Sequence, residues 1–120
     1  MTRTPLLIAL LALTGCVLGP HAHWSNRVPE PARTISNPYA DHSGAAEAGA
    51  KLYAQHCAAC HGKVAQGIGR APALHSPLIQ NASPGALFWL LTNGVIDKGM
   101  PAWAYLPAPQ RWQLVTWLKR

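Results

Sequence analysis

Two cysteines and a histidine within five consecutive residues constrain this chain more than any other feature. Cys57 and Cys60 are three positions apart, and His61 follows directly. Positions i and i+3 of a helix lie on the same side, so both thiols can reach the two vinyl groups along one edge of a haem and bond to them as thioethers. The next residue's imidazole is then carried under the ring, where it can ligate the iron. The run is typical of c-type haem attachment.

Two other uses of a Cys-x-x-Cys pair have little support in this sequence. A structural zinc site needs two further ligands at pair spacing, and no second cysteine pair exists. A thioredoxin-like redox pair belongs to a βαβ unit, and no strand-like run precedes Cys57. The third cysteine, Cys16, directly follows an N-terminal export signal and has its own role there, so no cysteine is left over for a disulfide.

The N-terminal region has the pattern of an export signal followed by a linker. We predict a signal peptide over residues 1–15, because a positive Arg3 precedes an apolar stretch shorter than the about 20 residues that span a bilayer. The stretch ends in Leu13-Thr14-Gly15-Cys16, which resembles the lipobox of bacterial lipoproteins. The resemblance implies cleavage before Cys16 and lipid on its sulfur, which anchors a protein to a membrane surface without spanning it. Ordinary cleavage a few residues later is the alternative. Prolines without periodicity predict a linker over residues 16–42.

The remainder, residues 43–120, has the pattern of a small all-α domain. We predict three helices, Ala45–Cys60, Pro84–Asn93 and Pro109–Lys119. Ser43 or Gly44 can cap the first helix, and Ser83 and Gly94 mark the two ends of the second. The second helix is apolar all round, which predicts burial. Gly49 and Tyr53 are four residues apart and share one face of the first helix. The last helix has an apolar stripe, and we expect it to pack closely against this face at Gly49.

With these elements placed, residues 43–120 resemble a class I cytochrome c with a single haem. The resemblance rests on the order and spacing of four features: the Cys-x-x-Cys-His motif, the Gly49/Tyr53 pair facing Leu114/Trp117, the loop from Gly67 to Leu74, and Gly99-Met100-Pro101. It implies a fold in which the N- and C-terminal helices cross and loops wrap one covalent haem c. It also implies that Pro72 offers its carbonyl to the second ring nitrogen of His61 and that Leu74 contacts the haem. The alternative is that Pro72 is an ordinary loop proline that interrupts regular secondary structure.

The sixth iron ligand decides the chemistry of such a domain. Met100 is the only methionine left once Met1 leaves with the signal peptide, and it has the position of the family's axial methionine. Methionine also serves as adaptable core filler, but a loop between glycine and proline is a poor place for a filler. Of the rival ligands, His75 is the most credible. Trp89 either lines the haem pocket, where its indole N–H can reach a propionate, or belongs to the ordinary core.

His/Met ligation raises the reduction potential and fills both axial positions, which favours electron transfer over enzyme catalysis. We therefore expect a single-electron carrier between an exported dehydrogenase and a respiratory acceptor, on the periplasmic side of a bacterial membrane. Within the family, Asn37-Pro38-Tyr39 and the ending from Leu106 to Lys119 are similar to cytochromes that serve quinoprotein (PQQ) dehydrogenases. One alternative is an electron donor to, or subunit of, a terminal oxidase complex. Another is a catalytic or ligand-sensing haem protein in which Met100 is displaced or unbound.

The charge balance bears on the partners. The formal net charge is +6, and it falls to +5 once the signal peptide, which contains Arg3, is removed. The basic residues are scattered rather than clustered, so we expect no nucleic-acid partner. A mildly basic rim favours docking to an acidic redox protein.

Overall fold

The computed structural model describes residues 23–120, and this part of the chain is helical. Its α-helices are α1 (Glu30–Arg33), α2 (Ala45–His56), α3 (Ala58–His61), α4 (Pro77–Asn81), α5 (Pro84–Asn93) and α6 (Ala108–Leu118). Two 3-10 turns cover Trp24–Arg27 and Ile96–Lys98. Within residues 23–120 there is no strand, and only two isolated bridges pair Ile68 with Ala71 and Val95 with Met100. The predicted all-α class is confirmed.

Helices α2 and α6 cross so closely that their backbones almost touch at Gly49. A Cβ atom at Gly49 would lie 2.1 Å from the carbonyl oxygen of Gln113 and 2.7 Å from the Cβ of Trp117. Only glycine permits this approach. One turn further along α2, the Tyr53 ring stacks on the Trp117 indole with 4.1 Å between centroids. The predicted packing of the first and last helices through Gly49 is confirmed, and it fixes the end of α2 where the Cys-x-x-Cys-His motif begins.

Helix α5 lies at the centre of the core. The Ser83 hydroxyl accepts a hydrogen bond from the N–H of Ala86 at 3.2 Å, and Gly94 ends the helix with φ of +68°. The Phe88 ring stacks on the Trp112 indole of α6 with 4.0 Å between centroids. The buried side chains of α5 include Leu87, Leu90 and Leu91. The predicted bounds, cap and burial of this helix are therefore confirmed.

Residues 23–42, which we call the N-terminal strap, correct the predicted linker. Val28 of the strap is buried, with 4% of its surface exposed. A Cβ atom at Gly85 of α5 would lie 2.0 Å from the carbonyl oxygen of Ala32, so α1 packs directly on α5. The Asn37 amide donates hydrogen bonds to the Thr116 hydroxyl at 2.9 Å and to a carbonyl of α6. The prolines of this segment do not prevent a helix, because Pro31 lies in the first turn of α1, where proline is tolerated. The burial of Val28 comes from tertiary contacts, which the local sequence pattern does not reveal.

Other boundaries differ less from the sequence predictions. Helix α2 ends at His56, because Cys57 leaves the regular helix with φ of −118° before α3 begins. Gly44, in the left-handed region at φ +79°, holds the cap position of α2 without a side-chain hydrogen bond. The short helix α4 was not predicted. None of the helices in residues 23–120 is long and apolar enough to cross a membrane. The predicted signal peptide, lipid-bearing Cys16 and the rest of the linker lie outside the described residues.

Candidate haem-binding site

The Cys-x-x-Cys-His motif forms a helical turn of its own at the end of α2. The Cys57 carbonyl accepts hydrogen bonds from the N–H groups of Cys60 at 3.1 Å and His61 at 2.9 Å. Cys57 is half-buried, Cys60 is exposed, and both are free thiols. The turn therefore presents two unpaired sulfur atoms and one imidazole from a single short stretch of backbone.

Burial affects the chemistry of the first of these thiols. Desolvation raises the pKa of Cys57 to about 11, and the neighbouring Cys60 contributes to the shift. With this pKa, Cys57 is a protonated thiol at neutral pH. A thiol reacts more slowly than a thiolate with alkylating and oxidising agents.

The His61 ring is buried and oriented by one hydrogen bond. Its Nδ1 lies 2.8 Å from the Pro72 carbonyl oxygen. A carbonyl can only accept, so Nδ1 carries the proton and Nε2 has the lone pair. Among the described residues, no hydrogen bond uses Nε2. The geometry is that of a metal-binding histidine whose second nitrogen is held by a backbone carbonyl, and it contains the contact that the family resemblance implies for Pro72.

The loop after His61 is shaped to bring Pro72 back to this ring. Ile68 and Ala71 exchange backbone hydrogen bonds, which closes a tight turn between them. Gly67 has φ of +85°, and a Cβ atom there would lie 2.8 Å from the backbone nitrogen of Ala73. The Leu74 N–H then donates to the Ala65 carbonyl at 2.9 Å. Leu74 is half-buried and packs against the core.

Met100 is presented by a second closed loop, at the end of α5. Its N–H donates to the Val95 carbonyl at 3.1 Å, and its carbonyl accepts from the Val95 N–H at 2.9 Å. Gly94 lies directly beneath, where a Cβ atom would be 2.7 Å from the Met100 carbonyl oxygen. The Trp103 N–H donates to the Leu91 carbonyl at 2.8 Å and ties the following residues to α5. The Met100 side chain is half-buried against the core.

The structure gives less information on two further candidates, His75 as an alternative iron ligand and Trp89 as a haem contact. The His75 ring is exposed, and its Nε2 donates to the Val64 carbonyl at 3.2 Å, so one of its two possible metal-binding nitrogens is engaged. Trp89 is half-buried on α5, and its contact with haem stays a prediction.

Sequence reasoning missed two residues that shape the site. The buried Tyr53 hydroxyl donates to the carbonyl of Gly62, the residue after His61, although only the packing of Tyr53 was predicted. Gly94 was predicted as a helix stop, but its contact with the Met100–Pro101 peptide was not. A glycine that both ends a helix and precedes a Gly-Met-Pro loop is the signal that could have indicated this close approach.

These residues fit a covalent haem. Two free thiols three positions apart can form two thioethers, and the buried His61 leaves Nε2 for an axial bond. Met100 supplies a thioether from a loop with fixed backbone. Haem c proteins use these donor types, with His and Met as axial ligands in the cytochromes.

Comparison with known proteins agrees with this geometry. A family model described as "Cytochrome C oxidase, cbb3-type, subunit III" matches residues 44–118. No curated protein sequence matches the chain. The crystal structure of cytochrome CL from the marine methylotrophic bacterium Methylophaga aminisulfidivorans MPT is similar, with a TM-score of 0.59 and 27% identity. That match covers 71% of this chain and 58% of cytochrome CL, so the chain spans little more than half of that protein.

The family match extends over more than half of the chain, and the structural match has the cytochrome c fold. Both imply one covalent haem c with its iron, and both indicate an electron-transfer protein. The chain is a class I c-type cytochrome and belongs to the family described as cytochrome c oxidase, cbb3-type, subunit III.

Proposed function

We propose that this cytochrome carries single electrons from an exported dehydrogenase to a respiratory acceptor, with haem held by Cys57, Cys60, His61 and Met100. The observation that carries the proposal is the 2.8 Å hydrogen bond from Nδ1 of His61, the histidine of the Cys-x-x-Cys-His turn, to the Pro72 carbonyl in the following loop. It fixes the tautomer and the orientation of the ring, so Nε2 is ready for iron. When bound, the haem supplies a one-electron iron couple.

The geometry of Met100 supports its role as the sixth ligand. Its backbone is clamped to Val95 by two hydrogen bonds, so the thioether is delivered from a fixed position. The rival His75 uses its Nε2 in a bond to Val64. With both axial positions filled by protein, no position is open for O₂ or peroxide, which favours a carrier over a catalytic or sensing haem.

Replacing the sixth ligand tests this assignment. Met100→Ala should leave haem attached and lower the midpoint potential by on the order of 0.1 V, because axial ligands set the potential over a wide range. His75→Ala is the matched control and should leave the potential where it is in the wild type. An unchanged potential in Met100→Ala would show that another group is the sixth ligand.

The family description favours a second candidate, an electron donor to or subunit of a terminal oxidase. Two measurements separate the candidates. A dehydrogenase-to-acceptor carrier should be reduced by a periplasmic fraction supplied with the dehydrogenase substrate. It should also be purified free of oxidase after mild detergent extraction. An oxidase subunit should stay with the oxidase through that extraction and should not be reduced by the soluble fraction.

We also propose that the protein is anchored on the periplasmic side of a bacterial membrane by lipid on Cys16. The support is the lipobox-like Leu13-Thr14-Gly15-Cys16 after a short apolar stretch. From Cys16 to residue 22 the chain has seven residues, which span at most about 25 Å when fully extended. The folded strap begins at His23, so this anchor would keep the haem domain close to the membrane surface. Cys16→Ser should abolish labelling by a fatty-acid analogue, and an unlabelled wild type would contradict the proposal.

A further inference from the structure

The loop that presents Met100 has little apolar packing along its outer side. Its two ends are joined by the backbone hydrogen bonds between Val95 and Met100. Between them, the 3-10 turn Ile96–Lys98 contains no buried residue, and the Ile96 side chain is 67% exposed. Because exposed side chains gain little from burial, the stability of this turn depends on other contacts.

One ion pair provides such a contact. The Arg27 guanidinium donates from Nη1 to Asp97 Oδ1 and from Nη2 to Oδ2, each at 2.7 Å. In residues 23–120, no other side-chain hydrogen bond reaches the turn Ile96–Lys98. Most exposed ion pairs stabilise little, but the two-pronged arginine–carboxylate geometry is the strong exception. Hydrogen bonding from Arg27 lowers the pKa of Asp97 to about 2, so the pair stays charged well below neutral pH.

The arginine belongs to a fixed segment. Val28, the next residue, is buried at 4% exposure, and Arg33 donates to the Ser25 carbonyl across the strap. Further along, Asn37 bonds to Thr116 of α6. Arg27 therefore extends to Asp97 from a strap that is packed on α5 and α6, and the ion pair joins two structural elements 70 residues apart in sequence.

We propose that Arg27 is a positioning residue for the distal haem ligand. By holding Asp97, it keeps the Val95–Met100 loop closed and slows the displacement of Met100 from iron by outside ligands. The N-terminal strap thereby controls how readily the distal side of the haem opens. This inference rests on the proposed ligation by Met100.

The test uses the full-length ferric holoprotein and two readouts. The first is the rate at which imidazole binds to the iron, which requires the loop to open. The second is hydrogen exchange at the Val95 and Met100 amides, which reports loop opening without reference to the iron. Arg27→Ala should raise both rates about fivefold, as expected for loss of one well-formed ion pair. Lys98→Ala also removes one positive charge, from the turn that holds Asp97, but leaves the ion pair intact, so both rates should stay at the wild-type values.

A charge swap distinguishes positioning from a general loss of stability. Arg27→Asp combined with Asp97→Arg should restore slow imidazole binding and slow exchange, although each single substitution accelerates both. If Arg27→Ala behaves like Lys98→Ala while wild type binds imidazole more slowly than Met100→Ala, the positioning role is overturned and Met100 ligation stands. If wild type and Met100→Ala bind imidazole equally fast, Met100 is not the ligand, and both proposals are overturned.

Discussion

At the scale of single residues, Tyr53 connects the packing of the domain to the haem-binding turn. Its ring stacks on Trp117 with 4.1 Å between centroids, where α2 and α6 cross. Its hydroxyl donates to the carbonyl of Gly62, directly after His61. Burial raises the pKa of Tyr53, so the hydroxyl stays protonated and remains a donor. The helix crossing thus fixes the turn that holds the proximal ligand.

Tyr53→Phe should lower the free energy of unfolding by about 0.5–1.5 kcal/mol, the net contribution of one hydrogen bond. The substitution keeps the ring and removes only one of the two hydrogen bonds to the buried Gly62 carbonyl, because the Ala65 N–H still donates to it at 3.1 Å. Denaturant unfolding of the holoprotein measures the effect. Tyr105→Phe is the control, because 70% of the Tyr105 surface is exposed. Equal changes in the two variants would show that the Tyr53 hydroxyl contributes nothing specific.

The sequence predicted the role of His61 in full but only the packing of Tyr53, and the difference has a physical reason. The spacing of Cys57, Cys60 and His61 defines a local chemical unit, so its role was readable directly. Helical spacing also put Tyr53 on the face of Gly49. The hydroxyl bond was not readable, because it depends on the path of the chain after His61, where Gly62 takes φ of +90°.

At the scale of elements, the sequence predicted correctly those helices whose ends are set by neighbouring residues, and it missed the segment that is ordered by distant contacts. The bounds of α5 were correct because Ser83 and Gly94 act on their immediate neighbours. The strap was missed because its order comes from distant contacts, such as α1 against Gly85 and Asn37 against α6. No local feature pairs Arg27 with Asp97, since each is an ordinary charged residue in its own segment.

The stabilisation that the Arg27–Asp97 ion pair gives to the contact between the strap and the Met100 loop should be lost at low pH. Hydrogen bonding from Arg27 lowers the pKa of Asp97 in the folded state to about 2 from its ordinary value of 3.8. A lowered carboxyl pKa adds stability that is fully present above the unfolded value and is lost as pH falls through the folded value. The difference in unfolding free energy between wild type and Asp97→Asn should therefore shrink between about pH 4 and pH 2.

Asp41→Asn, which changes an exposed carboxyl outside this ion pair, is the control and should show no such trend. A wild-type advantage over Asp97→Asn that stays constant from pH 5 to about pH 2 would mean that the ion pair does not stabilise the fold.

At the scale of the whole molecule, the folded unit includes the strap and is not limited to residues 43–120. A soluble form that starts at His23 should keep the stability of the complete haem domain. A form that starts at Ser43 loses the buried Val28 and the hydrogen bonds of Asn37 to α6. We expect its Tm to be lower by at least about 5 °C, since this shift corresponds to roughly 1 kcal/mol in a small domain. Equal Tm values for the two forms would mean that the strap adds no stability.

In the proposed electron carrier, His61 and Met100 would fill both axial positions of the haem iron. The most direct measurement is the absorption spectrum of the ferrous wild-type holoprotein before and after addition of carbon monoxide. A carrier of this kind has a six-coordinate low-spin spectrum that carbon monoxide leaves unchanged, whereas Met100→Ala should bind the gas. Carbon monoxide binding by the wild type would show an open distal position and favour a catalytic or ligand-sensing haem protein.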